Sequence, residues 1–270
     1  MGAEALSTTE VLALAAIAGG TIFLGLPLGR ITRPVPRLRA ALNAGAIGVL
    51  VFLLFDVFAH ANEPVEFALL AASDGDGTWT RFAWLAAVFA TGTAAGLLTL
   101  VYYDRGRATG SASRGGHRSE GRALAVMIAT GIGLHNLSEG LAIGQSAASG
   151  ETTLALVLIV GFGLHNATEG FGIIAPLAAE DTRPSWGFLA MMGIIGGGPT
   201  FLGTVIGQSF VNDTVFLLFL ALAAGSILYV VMQLVRVASR LGNPELVVWC
   251  VFAGLAAGVA TDYVLVAAGS

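Results

Sequence analysis

Eight stretches of this chain are long and apolar enough to cross a hydrocarbon core of about 30 Å, which takes about 20 helical residues. They lie at approximately 11–29, 42–61, 82–103, 124–147, 153–175, 188–210, 215–235 and 247–268. Inside lipid no water satisfies an open backbone, so such segments fold as helices. The expected fold is an all-α membrane protein, with eight transmembrane helices forming one polytopic domain over residues 1–270. Composition agrees: 56% of residues are hydrophobic, only 11% are charged, and mean hydropathy is +0.82.

Orientation follows from arginine, because the chain has no lysine and all 13 basic residues are Arg. Arg30, Arg33, Arg37 and Arg39 follow the first stretch, and Arg105, Arg107, Arg114, Arg118 and Arg122 follow the third. Arg183 follows the fifth, and Arg236 and Arg240 the seventh, whereas Arg81 stands alone on the opposite side. The positive-inside rule then puts both termini outside the cytoplasm. Residues 104–122, rich in Gly, Ser and Arg, read as a flexible cytoplasmic linker. The first apolar stretch has no basic leader and no small-residue cleavage site after it, so it reads as a retained helix. A single cysteine, Cys250, rules out an internal disulfide and a multi-thiolate metal site.

One pattern is written twice within these apolar runs. Residues 131–144 read GIGLHNLSEGLAIG, and residues 161–174 read GFGLHNATEGFGII. In each, His and Glu are four apart (His135 with Glu139, His165 with Glu169), which stacks them on one helical face. Both pairs fall near the middle of their stretch, and the short connection makes the two helices an antiparallel hairpin. A buried carboxylate at that depth is costly, and two together repel. A divalent cation removes both problems: two carboxylates cancel its charge and two imidazoles complete four N/O ligands. That set suits Zn²⁺, Fe²⁺, Mn²⁺, Co²⁺ or Ni²⁺. Hydrogen-bonded interhelical glue would explain one such pair equally well, but duplication at matched depth favours the ion. The motif glycines Gly131, Gly133, Gly140, Gly161, Gly163 and Gly170 are expected to let neighbouring backbones come close.

Two other features bear on a path for an ion. Asp56, His60 and Glu63, spaced four and three apart, share a helical face near the outer end of the second stretch, where a metal would enter. An ordinary polar helix end is the competing reading. Gln208, Gln233 and Asp262 are weaker candidates for lining the route. In the sixth stretch, Gly196, Gly197, Gly198 and Pro199 read as a hinge, because Pro199 cannot donate to the carbonyl of Ile195.

HNLSEG and HNATEG, together with residues 223–230 (AAGSILYV), resemble motifs of the ZIP (Zrt-, Irt-like) family of divalent-metal transporters. The resemblance implies a 3+2+3 arrangement, with the outer triplets related by an inverted repeat around a metal-binding pair. It also implies that His135, Asn136, Glu139, His165, Asn166 and Glu169 hold the metal. Ser138 and Thr168 replace the family's usual proline before the glutamate. Gly198 stands where many members have a sixth-helix acid, which implies a centre for one metal. Of the family's histidines in the third loop only His117 remains.

The expected function is transport of a divalent transition metal, zinc foremost, with iron, manganese, cobalt, nickel and cadmium as further candidates. The ion moves into the cytoplasm across the plasma membrane as substrate, and the protein is not an enzyme. An intramembrane zinc-dependent hydrolase is the alternative, although such enzymes place both histidines on one helix with the base between them. A metal sensor without flux is a third reading. With no lysine the chain has no phosphate-binding loop of the Gly-x-x-x-x-Gly-Lys type, so no nucleotide and no nucleic acid are expected as partners. The metal ion and the lipid bilayer are, and the sequence is compatible with a homodimer.

Overall fold

A computed structural model describes residues 7–30, 36–114, 120–148, 152–179, 183–209, 212–239 and 243–268. Among them are eight α-helices and no strand: α1 (Thr8–Gly20), α2 (Pro36–Asp74), α3 (Trp79–Arg114), α4 (Glu120–Ala148), α5 (Thr152–Ile174), α6 (Trp186–Gly207), α7 (Asp213–Ser239) and α8 (Pro244–Ala268). Side-chain oxygens supply the starts. Ser7 and Glu10 form a reciprocal capping box at α1. Ser185, Asn212 and Asn243 accept backbone N–H groups at the first turns of α6, α7 and α8. Seven helical segments, all but α5, are identified as long and apolar enough to cross a membrane.

Three expectations about boundaries are corrected. The first apolar stretch is not one helix: after α1 the chain tightens into 3₁₀ turns at Thr21–Leu24 and Leu26–Arg30. The Thr21 hydroxyl donates to the carbonyls of Ala18 and of Gly163 on α5, which draws the chain out of α geometry. The second stretch does not stop near residue 61, because α2 runs through Asn62, Glu63 and Pro64 to Asp74. Val65, Ala68 and Ala72 are buried on one stripe of that extension, so packing holds the helix past the proline. It ends at Gly75, whose φ of 85° only glycine adopts readily. The third correction concerns the linker expected at 104–122. Residues 104–114 continue α3 and residue 120 already begins α4. His117 lies outside the described residues.

The packing has an internal correspondence. α4 lies along α6, and α5 lies along α1 and its first 3₁₀ turn; α2 lies along α8, and α3 along α7. Exchanging α1 with α6, α2 with α7, α3 with α8 and α4 with α5 turns each pair into the other. Water cannot drive helices together within lipid, so close backbone approach and van der Waals contact must do so. The α4–α6 seam shows this. A Cβ on Gly133, Gly140 or Gly144 would overlap the carbonyl oxygen of Ile195, Thr200 or Thr204, and one on Gly203 or Gly207 that of Leu137 or Leu141. α4 is the most enclosed candidate span, with 72% of its apolar window buried, against 11% for α8. The duplicated motif therefore sits on the innermost helix and its neighbour.

Candidate metal centre

The described side chains of the motif converge where α4, α5, α6 and α1 meet. Asn136, Asn166 and Glu169 have no exposed surface, and His135 and Glu139 are buried. His135 Nε2 lies 3.0 Å from Glu139 Oε1, so the four-residue spacing brings imidazole and carboxylate together as expected. The second carboxylate joins them across the hairpin: Asn136 Nδ2 donates to Glu169 Oε2 at 3.1 Å. His165 lies on α5 four residues before Glu169, but its side chain lies outside the described residues. Among the described residues, no group of three or more His, Cys, Asp or Glu is close enough to hold a metal ion. Glu139 Oε2 and Asn136 Oδ1 are buried with no hydrogen-bond partner among those residues. A buried carboxylate oxygen with no donor is a costly arrangement, and a cation is one way to offset it.

Two cavities lead toward this place. The inner one, of about 150 Å³, is lined by His135, Ser138 and Glu139 from α4 and by Asp56 and His60 from α2. Leu158, Phe162, Phe216 and Leu220 give it an apolar wall. An outer vestibule of about 690 Å³ is lined by His60, Glu63, Glu66, Arg81, Gln145 and Asn212. His60 and Phe216 line both, so the two adjoin there. The three residues singled out on α2 are thus set in series: Glu63 on the vestibule, His60 on both and Asp56 on the inner cavity. Asp56 Oδ1 and His60 Nδ1 are 3.4 Å apart, and the same ring nitrogen lies 2.9 Å from the Asp56 carbonyl.

Several residues were not legible as part of the site. Ser138, which replaces a proline, donates its hydroxyl to the preceding His135 carbonyl at 2.6 Å, as a serine there can, but its place on the inner cavity was not foreseen. Glu66, Gln145 and Phe216 carry no signal of their own in the sequence, because their place depends on how α2, α4 and α7 meet. Gln233 bonds Tyr229 one turn earlier on α7 and lines neither cavity, nor does Gln208.

Three of the motif glycines allow the close backbone approach expected of them. Gly133 and Gly140 close α4 onto α6, and Gly170 closes α5 onto the first 3₁₀ turn; Gly131 and Gly163 have ordinary clearance. In α6, the run Gly196–Pro199 remains inside one continuous helix. Gly196 and Gly197 are close-packing positions against Ile22 and Gly19. A Cβ on Gly198 would meet only Ile194 of its own helix within 4 Å. A Cβ on Gly196, about 160° around the axis from residue 198, instead meets Ile22, Ile173 and Ile132 of other elements. An acid at 198 is therefore not set beside the motif residues.

Fold and site together define a polytopic helical membrane protein with a buried His/Glu/Asn cluster beside a small cavity. The sequence profile of the ZIP zinc transporter family matches residues 79–260, from α3 to within α8, and the chain belongs to that family. This is a family of transporters whose substrates are divalent metal cations. No curated protein matches the chain.

Proposed function

We propose that this protein moves one divalent transition-metal ion at a time, zinc foremost, into the cytoplasm across the plasma membrane. The ion is held by His135 and Glu139 from α4 and His165 and Glu169 from α5. Two carboxylates neutralise it and two imidazoles complete a four-ligand set. In this reading all eight α-helices cross the bilayer, the outer triplets form an inverted repeat, and both termini face outward.

The observation that supports it most is the inner cavity, in which Asp56 and His60 share a wall with His135 and Glu139. An ion can pass from the vestibule to the motif through a series of N and O donors. The transporter family supports flux rather than hydrolysis, and the distribution of one His and one Glu per helix agrees.

The test is uptake of zinc, iron, manganese and cobalt into proteoliposomes. His135→Ala, Glu139→Ala, His165→Ala and Glu169→Ala are each expected to reduce uptake to near background while the protein remains inserted and monodisperse. Ordinary flux in any two of them would remove the central site. Peptide or lipid cleavage without flux would establish the hydrolase instead.

A further inference from the structure

Ser138 stands in α4 between His135 and Glu139, on the wall of the inner cavity. It is 1% exposed, and its hydroxyl donates to the His135 carbonyl at 2.6 Å. A hydroxyl has one hydrogen to give and two lone pairs with which to accept. The hydrogen is committed to the backbone of its own helix, so acceptance is what Ser138 has left to offer. Among the described residues nothing donates to its oxygen.

The other polar groups around the cavity have the same need. Asp56 and His60 come from α2 as one pair, 3.4 Å apart, and His135 and Glu139 from α4 as a second, 3.0 Å apart. Carboxylates only accept, and Glu139 Oε2 has no partner among the described residues. The remaining wall includes Leu158, Phe162 and Leu220, which give no hydrogen bond at all. A cavity rich in acceptors and poor in donors suits a cation, or the hydrogens of water bound to one. Its size favours the second. Among the described residues no three of His, Cys, Asp or Glu are close enough to hold a bare ion. The cavity measures about 150 Å³, and a water takes about 30 Å³ in the liquid, so an ion that keeps several waters fits.

We infer that Ser138 is a positioning residue for the incoming ion: its oxygen accepts a hydrogen bond from water still bound to a divalent transition metal resting between the α2 pair and the α4 pair. The inference deepens the transport reading and rests on it for what enters the cavity. Water on a divalent cation is a stronger donor than free water, because the charge draws electrons from its O–H bonds. Asp56 and Glu139 already balance that charge, so a neutral acceptor adds a contact without making the ion harder to release. The family's usual proline at this position has no such oxygen.

A thiol at this position reports on the contact, because cadmium takes soft sulfur ligands directly. Ser138→Cys is made together with Cys250→Ser, which removes the other thiol of the chain. Cadmium added to the purified protein in detergent is expected to give the ultraviolet band of a cadmium–thiolate bond, absent from Cys250→Ser alone. Adding Asp56→Asn is expected to raise the cadmium concentration for half-maximal band severalfold, since Asp56 is on the α2 side of the same cavity. A serine that only bends the helix predicts no band, and its absence at saturating cadmium would overturn the proposal. A band indifferent to Asp56→Asn would overturn the placement of the ion between the two pairs.

Zinc affinity measured by calorimetry gives an independent comparison. Ser138→Ala is expected to weaken binding about three- to tenfold, as loss of one hydrogen bond implies. Ser138→Thr, which keeps the hydroxyl, is expected to stay within about twofold of wild type. Equal affinity in Ser138→Ala would overturn the proposal, and should that variant not fold, the cadmium band decides alone. Both readouts are equilibrium binding, so absence of zinc flux through the wild-type protein would count against the transport reading and leave them standing.

Discussion

Gly19 of α1 and Gly197 of α6 meet backbone to backbone: a Cβ on either would overlap the carbonyl oxygen of the other. This contact sits one residue beyond the carbonyls held by Asn166 and Asn136, so it sets how near α1 and α6 come at the level of the site. Gly197→Val is expected to force the two helices apart and to cost about 1–3 kcal/mol, the usual range for overpacking. Gly20→Val is the control, since a Cβ there meets nothing within 4 Å. Thermal unfolding of both variants in detergent checks this. Equal melting temperatures would show that the α1–α6 contact is not tight.

His60 lines both the vestibule and the inner cavity. His60→Ala is expected to raise the metal concentration for half-maximal uptake severalfold while leaving the maximal rate within about twofold, because the central ligands are untouched. The measurement is initial uptake rate against free zinc concentration. A collapse of the maximal rate with unchanged half-saturation would move His60 from the path into the transport centre.

Protons compete with metal for the same imidazoles. A ligand histidine must be neutral to bind, so its contribution is present above its pKa and lost as pH falls through it. With an ordinary imidazole pKa near 6.5 as reference, uptake should fall between about pH 7 and pH 5. Uptake that is flat across that interval in proteoliposomes, with no opposing proton gradient, would count against an imidazole of ordinary basicity on the path.

Gly198→Glu is expected to leave the number of bound metals at one and the affinity within about twofold, because position 198 is turned away from α4. Calorimetric titration of wild type and variant with zinc measures both. A second equivalent of metal in the variant would place residue 198 beside the site after all.

How much of this was readable beforehand depended on whether a feature is local. The His135–Glu139 contact was legible because a four-residue spacing on a helix is enough to produce it. Burial of the motif followed from its apolar setting, and the order of Glu63, His60 and Asp56 along α2 followed from helical rise. What escaped the sequence was decided between helices. Nothing local says that the Asn136 amide reaches Gly196, 60 residues away, or that Asn166 reaches Ala18, 148 residues away. The extension of α2 past Pro64 was hidden for a related reason. Proline is a local breaker, and the packing of Val65, Ala68 and Ala72 that outweighs it is not local.

The vestibule and the inner cavity differ in volume by more than fourfold, about 690 Å³ against about 150 Å³. In the proposed transport an ion would leave the larger chamber for a smaller one whose wall includes Leu158, Phe162, Phe216 and Leu220, side chains that can replace none of its water. The water given up there would have to be replaced by oxygen and nitrogen of Asp56, His60, His135 or Glu139. Magnesium, which releases its water reluctantly, would then be expected to exchange more slowly than zinc at this step, whatever its affinity for the ligands beyond.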